Sequence, residues 1–246
     1  MSVTLQEAEL SARAAYDGWH SRLPADRDGD APWHRLLAAH LDAERDLNGK
    51  AVLEIGCGGG GFACKLARQR QRPLSFVAAD FSSAAISKGR ACAARDGLSG
   101  ISWEVADIQA LAHPAETFDT VISCETIEHV ASPQRALREL ARVLKRGGRL
   151  IVTTPNYFGP FGMYRLYLSA RGRPFTEEGQ PINRVMLLPL TIAWIKRAGL
   201  KVRVVDAVGH YLLCPGRPPI ELPRLNNLRT FTRWVAFHSL VVAEKP

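Results

Sequence analysis

The strongest constraint on this chain is a run of four glycines, Gly58-Gly59-Gly60-Gly61, set behind Ala51-Val52-Leu53-Glu54-Ile55-Gly56-Cys57. A short apolar run of this kind reads as a buried strand, and the glycines break it. Phe62, Leu66 and Ala67 then recur at helical spacing. Strand, tight turn and helix together present backbone N–H groups to a ligand at a helix N-terminus. Glycine suits the turn because the ligand approaches a backbone that carries no Cβ. Glu54 narrows the ligand class: a carboxylate at the mouth of the turn repels a diphosphate and attracts a cation.

The same rhythm repeats. Leu74 to Ala79 reads as a second strand ending in Asp80-Phe81-Ser82. Asp80 lies nineteen residues beyond Gly61, near the interval of about 20 at which an acid reaches a ribose. A carboxylate suits a vicinal diol because its two oxygens accept from both hydroxyls. The same residue also suits the start of the helix from Ser82 to about Arg95. Phe81 is placed either to lie against a base or to fill core. A third strand, Ile101 to Val105, ends in Ala106-Asp107-Ile108, where an acid can accept from an adenine amino group. Three acids, Glu54, Asp80 and Asp107, thus stand at the carboxyl ends of three successive strands, where an open parallel sheet forms its ligand crevice.

A fourth strand, Thr120 to Ser123, leads into Cys124-Glu125-Thr126-Ile127-Glu128-His129-Val130. Ser132 and Pro133 read as N-cap and first residue of a helix lined by Ala136, Leu140, Val143 and Leu144 and ended by Gly147-Gly148. Arg149 to Thr154 is a fifth strand closing on Pro155-Asn156.

Glu54-Ile55-Gly56-Cys57-Gly58-Gly59-Gly60 resembles motif I of the class I S-adenosylmethionine (SAM) dependent methyltransferases, an acid followed by Gly-x-Gly-x-Gly. Phe118-Asp119, Glu128-His129-Val130, Arg142-Val143-Leu144-Lys145, Gly147-Gly148 and Thr154-Pro155-Asn156 continue the resemblance across residues 50–156. It is most similar to the branch that holds the ubiquinone-biosynthesis O-methyltransferases and related small-molecule enzymes. The resemblance implies an α/β, Rossmann-like, doubly wound sheet of seven strands with helices on both faces. Its last strand would be antiparallel and inserted between the fifth and sixth. It also implies SAM as cofactor, held by Glu54, Gly56, Cys57 and Gly58 at the turn. Asp80, Phe81, Asp107, Ile108 and Cys124 would complete the site from the next strand ends.

Outside that stretch, residues 1–46 read as two helical pieces joined by a polar link, Pro24 to Pro32. Their aromatics (Tyr16, Trp19, Trp33) either pack on the core or form a lid. Residues 157–188 crowd aromatics beside Arg171, Arg173 and Arg184, a combination that can stack a ring and pair an anion. The alternatives are a helix over the sheet edge and a basic, aromatic face for peripheral membrane contact. Residues 189–246 read as a helix (Pro189 to Ala198), a strand (Leu200 to Val208), a Pro-rich loop bordering the substrate pocket and a final strand (Phe231 to Ala243). With no repeat or low-complexity linker, this is one domain: a helical lid (1–46), a cofactor core (47–156), a substrate-cap insertion (157–188) and a C-terminal part (189–246).

The net charge of +8 comes from dispersed residues, and no nucleic-acid module accompanies it. Five scattered cysteines without a Cys-x-x-Cys pair argue against zinc or a disulfide framework. A polar, acidic N-terminus and no apolar run near the ~20 residues of a membrane span give a cytoplasmic protein as the expectation. Nothing in the sequence specifies an oligomer.

The leading reading is methyl transfer from SAM to a small acceptor, anionic or aromatic, at a hydroxyl oxygen, with nitrogen as the alternative. Gly56-x-Gly58-x-x-Gly61 also fits the dinucleotide fingerprint, so an NAD(P) oxidoreductase is a second reading, and a non-catalytic interaction module a third. Glu125 and His129 are the candidate catalytic residues. His129 has three roles open to it: a general base, a divalent-ion ligand with Glu125 and Glu128, or scaffold. No separate metal-ligand cluster is visible, so no metal is expected. A further histidine, His210 or His238, would have to arrive from a distant strand.

Overall fold

The computed structural model describes residues 5–23, 29–69, 73–173, 179–214 and 219–246. Seven strands form one sheet: β1 (Ala51–Ile55), β2 (Ser75–Asp80), β3 (Ile101–Val105), β4 (Phe118–Cys124), β5 (Leu144–Pro155), β6 (Lys201–Val208) and β7 (His238–Glu244). Their order is β3-β2-β1-β4-β5-β7-β6. The first five are parallel to their neighbours, and β7 runs antiparallel to β5 and β6. This is the arrangement the resemblance implied.

The strands alternate between two apolar layers. Leu53, Val77, Val121, Leu150 and Val241 face one cluster, while Val52, Ala78, Ile122, Ile151 and Val242 face the other. A strand buried on both faces favours apolar residues on both, which is why β1 is apolar at Ala51, Val52, Leu53 and Ile55, with Glu54 the exception. Helices α5 (Pro133–Val143) and α7 (Leu188–Arg197) close the first layer through Leu137, Leu140, Leu188 and Ile195. The second is closed by α2 (Pro32–Ala39), α3 (Gly61–Arg68) and α4 (Ser83–Arg95), through Leu37, Phe62 and Ile86. Helices α1 (Leu5–Arg22) and α6 (Pro160–Ala170) complete the chain's main elements.

Several boundaries differ from expectation. Strand β2 begins at Ser75 and includes Asp80, and β4 extends over Phe118–Cys124. Helix α5 stops at Val143, not at Gly147-Gly148. Leu144 already pairs with Phe118, and the Thr117 and Glu116 amides donate to Val143 and Arg142 carbonyls, so the adjoining segment draws the chain out of the helix. Gly148 sits where a Cβ would lie 2.8 Å from the Asp119 carbonyl oxygen.

The last strand begins at His238, seven residues later than expected. The Asn156 side-chain amide donates to the carbonyls of Trp234 (2.8 Å) and Ala236 (3.1 Å), so these groups bond a side chain instead of a strand. The Pro-rich loop forms a small antiparallel pair, Tyr211–Leu212 with Ile220–Glu221. None of its described residues borders the cavity discussed below. Residues 24–28 of the expected N-terminal link lie outside the described residues, and Pro32 is the first residue of α2, not part of the link. No described helix is long and apolar enough to cross a membrane.

Candidate functional site

The chain runs from β1 outward to β3, then returns to the other side of β1 as β4. That reversal leaves a crevice at the carboxyl ends of β1 and β4, and a cavity of about 940 Å³ occupies it.

One end of the cavity is built from the glycine turn and the ends of β2 and β3. Gly60 caps α3 with φ 78°, a left-handed conformation that favours glycine. A Cβ there would overlap the Trp103 ring. Asp80, the last residue of β2, accepts from the Gly58 amide through Oδ2 and from the Ser82 amide through Oδ1, both at 2.9 Å. Each oxygen keeps a second lone pair. His20 Nε2 stands 3.9 Å from Oδ1. Asp107 Oδ1 accepts from the Gln109 amide at 2.8 Å. Gly56, Cys57, Gly58, Asp80, Phe81, Asp107, Ile108 and Cys124 all line the cavity. Burial pushes the Cys57 and Cys124 thiols well up, so neither presents a thiolate.

Glu54 is placed differently from its neighbours. Its side chain is buried, does not line the cavity, and leaves Oε2 without a partner among the described residues. Burial first, and Asp80 second, push its carboxyl up to about 8.

The rest of the lining is assembled from remote segments: Trp33 and His34 of α2, Glu125 and His129 after β4, Ile182, Phe237, and His238 at the start of β7. Glu125 adopts φ 46°, a conformation that costs a non-glycine residue on the order of 1–3 kcal/mol. Its amide donates to the Thr153 carbonyl at 3.1 Å, its Oε2 accepts from His238 Nδ1 at 3.1 Å, and its Oε1 is buried without a partner among the described residues. His34 stacks on Phe62 at 5.3 Å, and its buried Nδ1 also lacks a partner among the described residues. Burial holds the His34 pKa down at about 4.

His129 lines the cavity but is tied into its wall. Nδ1 lies 2.7 Å from the Ile182 carbonyl, Nε2 lies 3.5 Å from Glu128 Oε1, and the backbone carbonyl accepts from Tyr16 at 2.9 Å. Burial lowers its pKa. Glu128 is fully buried, accepts from Thr154 at 3.2 Å and receives the Arg184 amide on its carbonyl. Among the described residues no three His, Cys, Asp or Glu side chains group as a metal site. Glu125, Glu128 and His129 therefore do not fit one ion together.

Helix α1 covers the cavity. Asp17 accepts from the Ser82 hydroxyl (2.6 Å) and the Ala84 amide (3.1 Å), and Lys88 donates to the His20 and Leu23 carbonyls. Arg13 lies 4.7 Å over the Phe81 ring. From residues 157–188 the lining takes Gln180 and Ile182, while Arg171 and Arg173 are exposed and do not reach it. Arg171 instead stacks over Tyr167 at 5.2 Å.

Sequence reading missed His34, Gln109, Arg135 and Phe237 as lining residues. It weighed His238 only as a distant metal ligand.

Residues 53–152 match the family model described as a methyltransferase domain. A ubiquinone biosynthesis O-methyltransferase of Coxiella burnetii is 32% identical over 198 residues, which cover 78% of this chain and 81% of that protein. One of Parvibaculum lavamentivorans is 38% identical over 118 residues, 47% of this chain and 45% of that protein. In fold, the chain is similar to a SAM-dependent methyltransferase from Mesorhizobium loti, with a TM-score of 0.61 at 19% identity, over 88% of this chain and 99% of that one.

Proposed function

Since the chain belongs to the SAM-dependent methyltransferases, we propose that it methylates a hydroxyl oxygen of a small, aromatic acceptor. The acceptor lies at the Trp33–Glu125–His238 end of the cavity, and the cofactor at the glycine-turn end. The observation that carries this reading is the continuity of the two ends: one cavity joins the glycine turn and the Asp80 and Asp107 carboxylates to a pocket of aromatic rings, a carboxylate and imidazoles. Relatives named O-methyltransferases favour oxygen over nitrogen.

SAM supplies an electrophilic methyl group on a sulfonium. The residues present fit it. Asp80 keeps lone pairs free to accept from ribose hydroxyls, and Asp107, which lines the same cavity, would accept from the adenine amino group. Phe81 offers a ring beside them. Glu54, off the cavity wall and held protonated by its burial, is not among the groups that would hold SAM. Holding both reactants aligned supplies on the order of 7–11 kcal/mol of the barrier. Helix α1 contributes Ala12, Tyr16, Trp19 and His20 to the cavity wall, and shielding from water favours a step that disperses charge.

The test is calorimetric titration with SAM and with NADH, followed by mass spectrometry of phenolic acceptors incubated with SAM. Binding of SAM alone and a methylated phenol are expected. Methylation confined to amines would overturn the hydroxyl assignment.

A further inference from the structure

We propose that the proton acceptor for the methylated hydroxyl is His238, oriented by Glu125, and that His129 is a positioning residue. The proposal rests on the hydroxyl-methylation reading above.

The two histidines differ in what their nitrogens face. A carboxylate accepts and does not donate, so the 3.1 Å contact with Glu125 Oε2 places the proton of a neutral His238 on Nδ1. Nε2 then carries the lone pair, and it makes no hydrogen bond among the described residues, although His238 lines the cavity. The ring is fixed by Trp33 (centroids 4.6 Å apart, 40°) and Phe237 (4.7 Å, 67°). In His129, by contrast, Nδ1 is held by the Ile182 carbonyl and Nε2 is turned toward Glu128. Its carbonyl holds Tyr16 of α1. His129 thus fastens the 182–184 segment and the helical cover to the end of β4.

Glu125 carries two costs that ordinary packing does not explain. Its backbone is left-handed, and Oε1 is buried with no partner among the described residues. Such features gather where a site is preorganised. A carboxylate there holds the imidazole in one tautomer and stabilises the imidazolium that forms. Among the described residues, His34 of α2 shares the cavity with His238, and Tyr211 approaches it beside Gly209.

In the step, His238 Nε2 takes the hydroxyl proton while the acceptor oxygen bonds to the methyl carbon. The carbon–sulfur electron pair goes to sulfur, leaving a thioether. The positive charge passes from sulfonium to imidazolium, beside Glu125, and the proton then leaves to solvent.

The experiment uses the full chain, catechol as probe acceptor, and imidazole ¹⁵N NMR. His238→Asn is expected to lower turnover about 100-fold at neutral pH, with SAM affinity within about twofold of wild type and the loss narrowing toward the phenol pKa of about 10. Glu125→Gln is expected to lower turnover about 10-fold, and His129→Asn to cost less than His238→Asn. NMR is expected to show His238 protonated on Nδ1 with Nε2 bare. His238→Asn turning over within twofold of wild type, or His238 carrying its proton on Nε2, would overturn the proposal. If His238→Asn does not fold, the Glu125→Gln turnover and the wild-type tautomer decide. If wild type binds SAM but leaves catechol unmethylated, the hydroxyl reading fails for this acceptor and the tautomer alone decides the pair. Absence of SAM binding would instead sink the functional reading itself.

Discussion

The two ends of the cavity are made in different ways. The end proposed for the cofactor comes from consecutive strand ends within residues 55–110, where Asp80 holds the Gly58 amide and the start of α4. The end proposed for the acceptor draws Trp33, Glu125, Ile182 and His238 from four separate parts of the chain. The first end is fixed by backbone geometry and tolerates little change. The second is fixed by side chains and is the end at which substrate choice can vary on a constant scaffold.

The largest effect expected is on the cofactor end. Asp80→Ala removes the charged acceptor, and hydrogen bonds to charged groups are worth about 1.5–3 kcal/mol, so SAM affinity should fall by roughly one to two orders of magnitude. Titration calorimetry on the folded variant measures it. Unaltered affinity would move the ribose elsewhere.

A second prediction concerns Glu54, whose folded pKa is raised to about 8 from an ordinary 4.5. The folded protein then binds more protons than the unfolded chain between these values, so this residue's contribution to stability falls as pH rises from about 4.5 through 8. Glu54→Gln should therefore raise the thermal midpoint of the cofactor-free protein at pH 8 more than at pH 5. Equal shifts at both pH values would show that the carboxylate is not held protonated.

His34 at the acceptor end has the opposite sign. Its pKa is lowered from 6.5 to about 4, so the unfolded chain protonates first, and stability is lost as pH falls from 6.5 toward 4. His34→Gln should flatten that acid limb in a series of melts. A limb as steep as wild type's would place the sensitivity in other groups.

These contrasts follow what the sequence made legible. Strand β1, the turn, α4 and the acids after β2 and β3 were readable because their signals are local: an apolar run, glycines, a Ser82 cap, an acid at a strand end. Glu54 carried a readable charge, but its burial off the cavity wall is a property of the second apolar layer and has no local mark. His34 and His238 were not readable as partners of one pocket. They lie 204 positions apart in sequence and meet at the same cavity only because β7 is inserted beside β5 while α2 closes the face behind it. The arginines of residues 157–188 misled for the converse reason: composition suggested a charged cap, whereas the chain turns Arg171 and Arg173 outward and sends Ile182 in. The smallest effect is accordingly expected there. Arg171→Ala with Arg173→Ala should change the acceptor KM by no more than about twofold, since exposed charges are screened. A tenfold rise would show that they meet the substrate.

The division between the two ends is tested most directly by measuring SAM affinity, by calorimetry under one set of conditions, for wild type, Asp80→Ala and His238→Asn. The expected result is a loss of at least about tenfold for Asp80→Ala and an affinity within about twofold of wild type for His238→Asn. Equal losses in both variants would contradict the account, because the acceptor end would then be holding the cofactor as well.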